Sequence, residues 1–286
     1  MADFDSLWDY SHPEITEIKF RELLPAAESS GDSGYLAGLL TQIARTEGLQ
    51  TKFDDAHKTL DRAEKLITNR MPVPKVRYLL ERGRAFNSSG SPDEAKKYFL
   101  QAWDLARESH VDDYAVDAAH MVAITESPEE ALKWNEAAVA FAEKSTDENA
   151  KKWLGSLYNN IGWNYHDKKE YEKALEYFEK DYEWYSGMNR PLQTRIAKWS
   201  IARTLRSLKR TQQALVLQRK LLYQIEQDKQ EQDGYVHEEI GECLLELERK
   251  EESKPFFKKA YDLLSKDIWL IANEPQRLER LKNLGA

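Results

Sequence analysis

Six times along this 286-residue chain a small residue is followed, twelve places later, by another small residue. The pairs are Ala44/Ala56, Gly83/Ala95, Ala119/Ala131, Gly162/Ala174, Ala202/Ala214 and Gly241/Ser253, and successive pairs stand 39, 36, 43, 40 and 39 residues apart. A fixed internal period of this size is the signature of a helical solenoid. The spacing inside each pair has a steric reason. Two antiparallel helices approach closely only where both present a small side chain at their crossing point. The pattern therefore predicts an all-α array of six helical hairpins, each burying its apolar face against its neighbours and leaving no internal domain boundary.

The clearest hairpin lies between Gly155 and Ser186. Tyr158, Ile161, Gly162 and Tyr165 fall on one helical face, Asp167 to Glu170 form a polar turn, and Tyr171, Ala174, Leu175 and Phe178 form the facing stripe. Two helix starts support the register. Ser91-Pro92-Asp93-Glu94 and Ser127-Pro128-Glu129-Glu130 each place Ser at the N-cap, Pro at the first helical position and Glu at the third. The even-numbered hairpins combine a crossing Gly with a later Phe (Phe99, Phe178, Phe257). The odd ones combine Ala with Leu60, Asn135 or Gln218. The sequence offers no physical account of that alternation, which is compatible with duplication of a two-hairpin unit.

The order bulky-x2-Ile-Gly-x2-Tyr, here Tyr158 to Tyr165, followed by Ala174-x3-Phe178, resembles the tetratricopeptide repeat. The resemblance extends over residues 35–265, with units longer than the usual 34, as in the long-repeat subset of kinesin light chains. It implies a right-handed superhelix. The closing Pro is missing, and Asp181 stands where that family has Ala, implying looser packing onto the next unit. Arg82 stands where the family prefers Leu, implying a non-standard core there. Residues 1–34 are expected to form an N-terminal cap, with Ile15, Ile18, Phe20, Leu23 and Leu24 on its apolar face and Trp8 over its start. Residues 266–286 are expected to form the C-terminal cap, beginning with Ile268 to Ile271.

Composition narrows the function. The chain has 42 basic and 50 acidic residues and a formal net charge of -8. An acidic chain without a basic cluster is a poor match to nucleic acid or an anionic membrane. Met1 to Tyr10 is acidic and does not read as a signal peptide, and Cys243 is the only cysteine. Both fit the cytoplasm. No phosphate loop, zinc helix or cofactor motif is present, and the six histidines are dispersed; His166-Asp167 are adjacent, so their side chains diverge on a helix. The expectation is a protein without catalysis, cofactor or metal.

Binding is the expected activity. The resemblance implies that the first helix of each unit lines a concave groove. One groove position is then the residue after each crossing: Arg45, Arg84, His120, Trp163, Arg203 and Glu242, with Arg77 and Arg206 on or near the same face. Guanidinium groups suit bidentate carboxylate recognition. A basic groove in an acidic shell would steer in an acidic or carboxylate-terminated protein segment. The competing reading pairs each Arg with a nearby acid such as Glu47 or Glu81. Asn160, two places before its crossing, is a second candidate; the family uses such an Asn to hold an extended peptide. Its equivalents here are Gln42, Glu81, Asp117, Ser200 and Glu239. Trp163, Trp199 and Tyr235 are candidates for an aromatic anchor or for packing. A ligand-responsive sensor and a structural subunit using its convex face, as a homo-oligomer, are the alternative functions.

Overall fold

The structure, a computed structural model, describes residues 3–286; Met1 and Ala2, the start of the expected N-terminal cap, lie outside the described residues. Among the described residues every regular element is helical. Among the same residues no helix is long and apolar enough to cross a membrane. The chain forms two compact units, Met1–Leu157 and Tyr158–Ala286, each considered by itself.

In the first unit, a short 3-10 turn (Phe4–Leu7) precedes α1 (Pro13–Ser29). Three hairpins follow: α2 (Ser33–Leu49) with α3 (Phe53–Leu66), α4 (Pro72–Ser88) with α5 (Pro92–Glu108), and α6 (Asp112–Thr125) with α7 (Pro128–Lys144). The first helices stack, α4 lying against both α2 and α6. A short turn of helix, α8 (Glu148–Lys151), leads to α9 (Leu154–Asp167), within which the unit ends. The second unit continues with α10 (Tyr171–Gly187), α11 (Pro191–Ser207), α12 (Thr211–Gln227), α13 (Gly234–Glu246), α14 (Lys250–Leu264), α15 (Ile268–Asn273) and α16 (Pro275–Leu284).

A recurrent turn separates these helices. Gly90 takes φ +87°, where a side chain would be strained, and Ser91 N–H donates to Phe86 C=O five residues back at 2.9 Å. Thr51, Lys209 and Glu248 adopt the same left-handed conformation without being glycine. The following amides again reach five residues back, Lys52 to Glu47, Arg210 to Leu205 and Arg249 to Leu244, each at 2.9 Å. Ser91 and Ser127 occupy N-caps before a Pro as the sequence predicts, but neither hydroxyl caps its helix. Only their carbonyls engage, accepting from the amides of Ala95 and Ala131.

The crossing residues are buried, and their geometry explains the alternation. A Cβ placed on Gly83 would lie 2.4 Å from the Phe99 ring; on Gly162, 2.6 Å from Phe178; on Gly241, 2.9 Å from Phe257. Each phenylalanine sits sixteen residues after its glycine and is fully buried. The crossing therefore holds a constant volume: Gly admits a Phe ring, whereas Ala is matched by the smaller Leu60, Asn135 or Gln218, all buried.

Three expectations need correction. Ile15 and Ile18 of α1 are exposed, and the buried stripe is Thr16, Phe20 and Ala27, because the face turned toward α2 is set by Phe20. Of Ile268 to Ile271 only Leu270 is buried; the C-terminal cover is supplied instead by Leu278 and Leu281 of α16, packed on Phe257, Ala260 and Leu264. Asp181 is 1% exposed, so the position is closed to solvent rather than opened by the missing Ala. Its Oδ1 has no hydrogen-bond partner among the described residues, and burial pushes its pKa up to about 7. The Arg82 expectation holds. Its buried guanidinium reaches α3, donating to Asp61 at 2.5 Å and to the His57 carbonyl at 3.2 Å.

Candidate functional site

Each unit carries a groove on its first helices, and the periodicity explains how. On α4, Arg77, Leu80, Glu81 and Arg84 recur every three to four residues and so share one face. Gln42 and Arg45 of α2 and Tyr114 and Asp117 of α6 flank them, with Trp153 nearby, around a groove of about 480 Å³. Asp5, Trp8 and Tyr10, from before α1, complete the lining.

The arginines of this groove are paired. Arg84 donates to Glu81 at 2.5 Å and to both oxygens of Asp117, at 2.5 and 2.6 Å. Arg77 donates through Nε to Tyr114 Oη at 2.6 Å and through both terminal nitrogens to Asp5, the Nη1 bond being 2.9 Å. Arg45 is held least, 3.7 Å from Glu81, which exceeds hydrogen-bond length. Three arginines thus face three carboxylates (Asp5, Glu81 and Asp117), and the groove is not the net basic wall that the sequence suggests. Burial and pairing act oppositely on Arg84: desolvation disfavours its charge, and the two carboxylates outweigh that and raise its pKa.

The groove of the second unit, about 560 Å³, repeats the arrangement with Trp163, Trp199, Arg203 and Arg206 on one side and Glu238, Glu239 and Glu242 of α13 on the other; Glu274, Arg277 and Arg280 close its end. Arg206 bridges Glu239 (2.5 and 3.1 Å) and Glu246 (2.9 Å), while Arg203 makes a long 3.4 Å bond to Glu239. Arg277 donates to Glu238 at 2.6 and 2.9 Å, and Arg280 to Glu242. Burial pushes the Glu239 carboxyl up, against the opposing pull of Arg206. Trp163 and Trp199 stand 5.9 Å apart, ring to ring; Trp199 Nε1 is engaged by the Tyr235 carbonyl at 3.1 Å.

The sequence-predicted residues therefore divide. Arg45, Arg77 and Arg84 meet in the first groove, and Trp163, Trp199, Arg203 and Arg206 in the second. His120 is half-buried beside the first groove, its ring 5.6 Å from Trp153, and burial lowers its pKa. Asn160, half-buried on α9, is not among the residues lining the second groove. Tyr235 is likewise outside that lining and works through its carbonyl. Glu47, the acid expected near Arg45, pairs with Arg21 at 2.6 Å.

One rule unites the pairs. The Arg just after a crossing reaches the acid two places before the crossing of the next hairpin: Arg45 to Glu81, Arg84 to Asp117, Arg203 to Glu239. Those acids are the equivalents of Asn160, so the register held the signal. Asp5, Trp8, Tyr10, Arg277 and Arg280 stand outside the repeat and could not be found from it.

His166 and Cys243 line neither groove. His166 Nε2 lies 3.0 Å from Ser207 Oγ and its pKa is lowered by burial. Burial pushes the Cys243 thiol up to about 12, which leaves almost no thiolate near neutral pH. Among the described residues no cluster of three or more His, Cys, Asp or Glu is disposed to hold a metal.

Comparison with known proteins places this geometry. The tetratricopeptide repeat profile matches residues 76–109, 155–185 and 236–264, the three hairpins that pair Gly with Phe. No curated protein matches the chain. Among solved structures, the signal transduction ATPase with numerous domains from Pyrococcus horikoshii, which has a tetratricopeptide repeat sensor, superposes with a TM-score of 0.73 at 15% identity, over 95% of this chain and 43% of that one. The apo form of RapI gives 0.72 at 15% identity, over 91% of this chain and 73% of that protein. NprR in complex with its cognate peptide NprX gives 0.57 at 17% identity, over 95% and 78%. The chain spans less than half the length of the Pyrococcus protein. At these identities the likeness is one of fold.

Proposed function

The chain is a tetratricopeptide-repeat protein, and from that premise we propose that it binds a protein or peptide segment through the two grooves, without chemistry of its own. The observation that carries this reading is the recurrence, in both units, of guanidinium and indole groups around an open volume of several hundred Å³. The segment recognised is acidic or ends in a free carboxylate. Because the arginines are matched by framework acids, long-range steering is weak. Recognition instead proceeds by exchange: a partner carboxylate takes up the donors of Arg45 and Arg203, the two groove arginines with the longest pairings. The indoles of Trp163 and Trp199 supply apolar anchoring beside Arg203. The single buried cysteine supports a reducing, cytoplasmic setting.

A second reading, a peptide-responsive sensor, draws support from the sensor in the Pyrococcus protein and from the NprR complex. It adds a change of shape on binding, visible as a smaller radius of gyration in small-angle scattering.

The test is a pull-down from native lysate with wild-type chain and with Arg45→Gln/Arg203→Gln. A protein captured by the wild type and lost with the variant supports the groove. Capture that is indifferent to both changes overturns it. Arg84→Glu is a poor choice of variant. It would bring three carboxylates together in a buried site, so lost binding would report lost folding.

A further inference from the structure

The first groove already contains a segment from outside the repeat hairpins, rooted in the core of α1 and α2 through Phe4, Leu7 and Trp8. The 3-10 turn and the non-helical stretch that joins it to α1 lie on the groove side of α2 and α4, presenting Asp5 from the turn and Trp8 and Tyr10 from the stretch. It is anchored at both ends. Phe4 is buried against Phe20 and Tyr35, above Gly38, where a Cβ would lie 3.3 Å from its ring. Asp9 exchanges hydrogen bonds with the Thr16 hydroxyl, both at 3.1 Å.

Between those anchors the Trp8 ring packs edge-on against Phe20 at 5.3 Å, and the polar groups of the segment reach α2 and α4. The Asp5 carboxylate takes the bidentate fork of Arg77, whose third donor is fixed by Tyr114. Three residues on, the Trp8 indole N–H donates to Gln42 Oε1 at 2.9 Å, and its ring stacks on Tyr10 at 4.4 Å with 5° between planes. Arg84 is satisfied by acids of the hairpins themselves; Arg77 takes its carboxylate from this segment. The 72-residue separation of Asp5 and Arg77 has no counterpart in the 33- and 36-residue steps of the repeat pairs.

We infer that the first groove is a recognition site for a short acidic-aromatic segment of a partner protein, a carboxylate followed three residues later by an indole, and that Asp5, Trp8 and Tyr10 fill it as an internal ligand that the partner displaces. This rests on the groove reading above and gives it a ligand pattern. Arg77 and Gln42 are the reading groups: the guanidinium fork selects a carboxylate, and the amide oxygen selects an indole N–H over a phenyl ring. A tethered segment competes at an effective concentration on the order of millimolar, so for a segment of Kd about 0.1 mM its release raises the apparent affinity for an external segment on the order of tenfold.

The experiment uses the full chain with Asp5→Asn/Trp8→Ala, which frees the groove while keeping the Phe4 anchor. Fluorescein-labelled peptide of residues 5–12 is titrated into wild type and variant, with anisotropy as readout and circular dichroism as a check on folding. The result expected is binding to the variant about tenfold or more tighter than to wild type, and loss of that gain when Arg77→Gln is added. Asp5→Asn alone, which preserves shape, gives an intermediate gain and serves if the double variant is poorly folded. Equal affinity for wild type and folded variant, or a gain that survives Arg77→Gln, overturns the inference. That failure is separable from failure of the proposed function. A partner captured in an Arg45- and Arg203-dependent way would still stand if the peptide did not bind.

Discussion

Replacing Asp181 by Asn changes one charge and almost no volume, and its effect follows from burial. The side chain is 1% exposed on α10, and desolvation carries its pKa from an ordinary 3.8 to about 7. Below pH about 4 the carboxyl is protonated in folded and unfolded chains alike, and it is neutral for stability. Between about 4 and 7 the unfolded chain ionises while the folded one keeps its proton, so stability falls as pH rises. Above 7 the loss is complete, about 4 kcal/mol at 1.36 kcal/mol per pH unit. Asp181→Asn removes this dependence. The variant is expected to exceed wild type by about 2 kcal/mol at pH 5 and about 4 kcal/mol at pH 8. Repeat arrays open locally rather than all at once, so the assay is amide hydrogen exchange in α10 and α11, comparing both proteins at each pH. Protection in the variant at pH 8 is expected to rise by on the order of a thousandfold. Equal protection at pH 8 would refute the reasoning. A gain of the same size at pH 5 and 8 would assign the effect to packing instead of charge.

Other substitutions test the remaining physics. Gly162→Ala forces a Cβ into the Phe178 ring and is expected to destabilise by about 1–3 kcal/mol, with Phe178→Leu restoring part of the loss; a double-mutant cycle by urea denaturation measures the coupling, and additive effects would contradict the constant-volume crossing. Arg84→Ala strands Glu81 and Asp117 and is expected to cost about 3–5 kcal/mol, whereas Arg45→Ala, half-buried with one long pairing, is expected to cost less than about 1 kcal/mol; the same denaturation series ranks them.

The helical hairpins and their register were set by the spacing alone. The reason is locality. A crossing residue meets its partner twelve or sixteen residues on, and a groove arginine meets its acid one repeat later, so every such contact recurs as a spacing. Arg45, Arg84 and Arg203 were legible for that reason, and so were their acids once Gln42, Glu81, Asp117 and Glu239 were aligned as equivalents. Three things needed the tertiary structure. The Gly-with-Phe alternation is a matter of shared volume, which the one-letter pattern displays without explaining. The charge balance of the grooves depends on which carboxylates lie within 4 Å, a distance that composition cannot supply. The seating of Asp5 and Trp8 on α2 and α4 belongs to a segment outside the period, and a contact across 72 residues leaves no spacing to read; only the folded chain, in which Phe4 and Thr16 pin that segment in place, brings its carboxylate to Arg77.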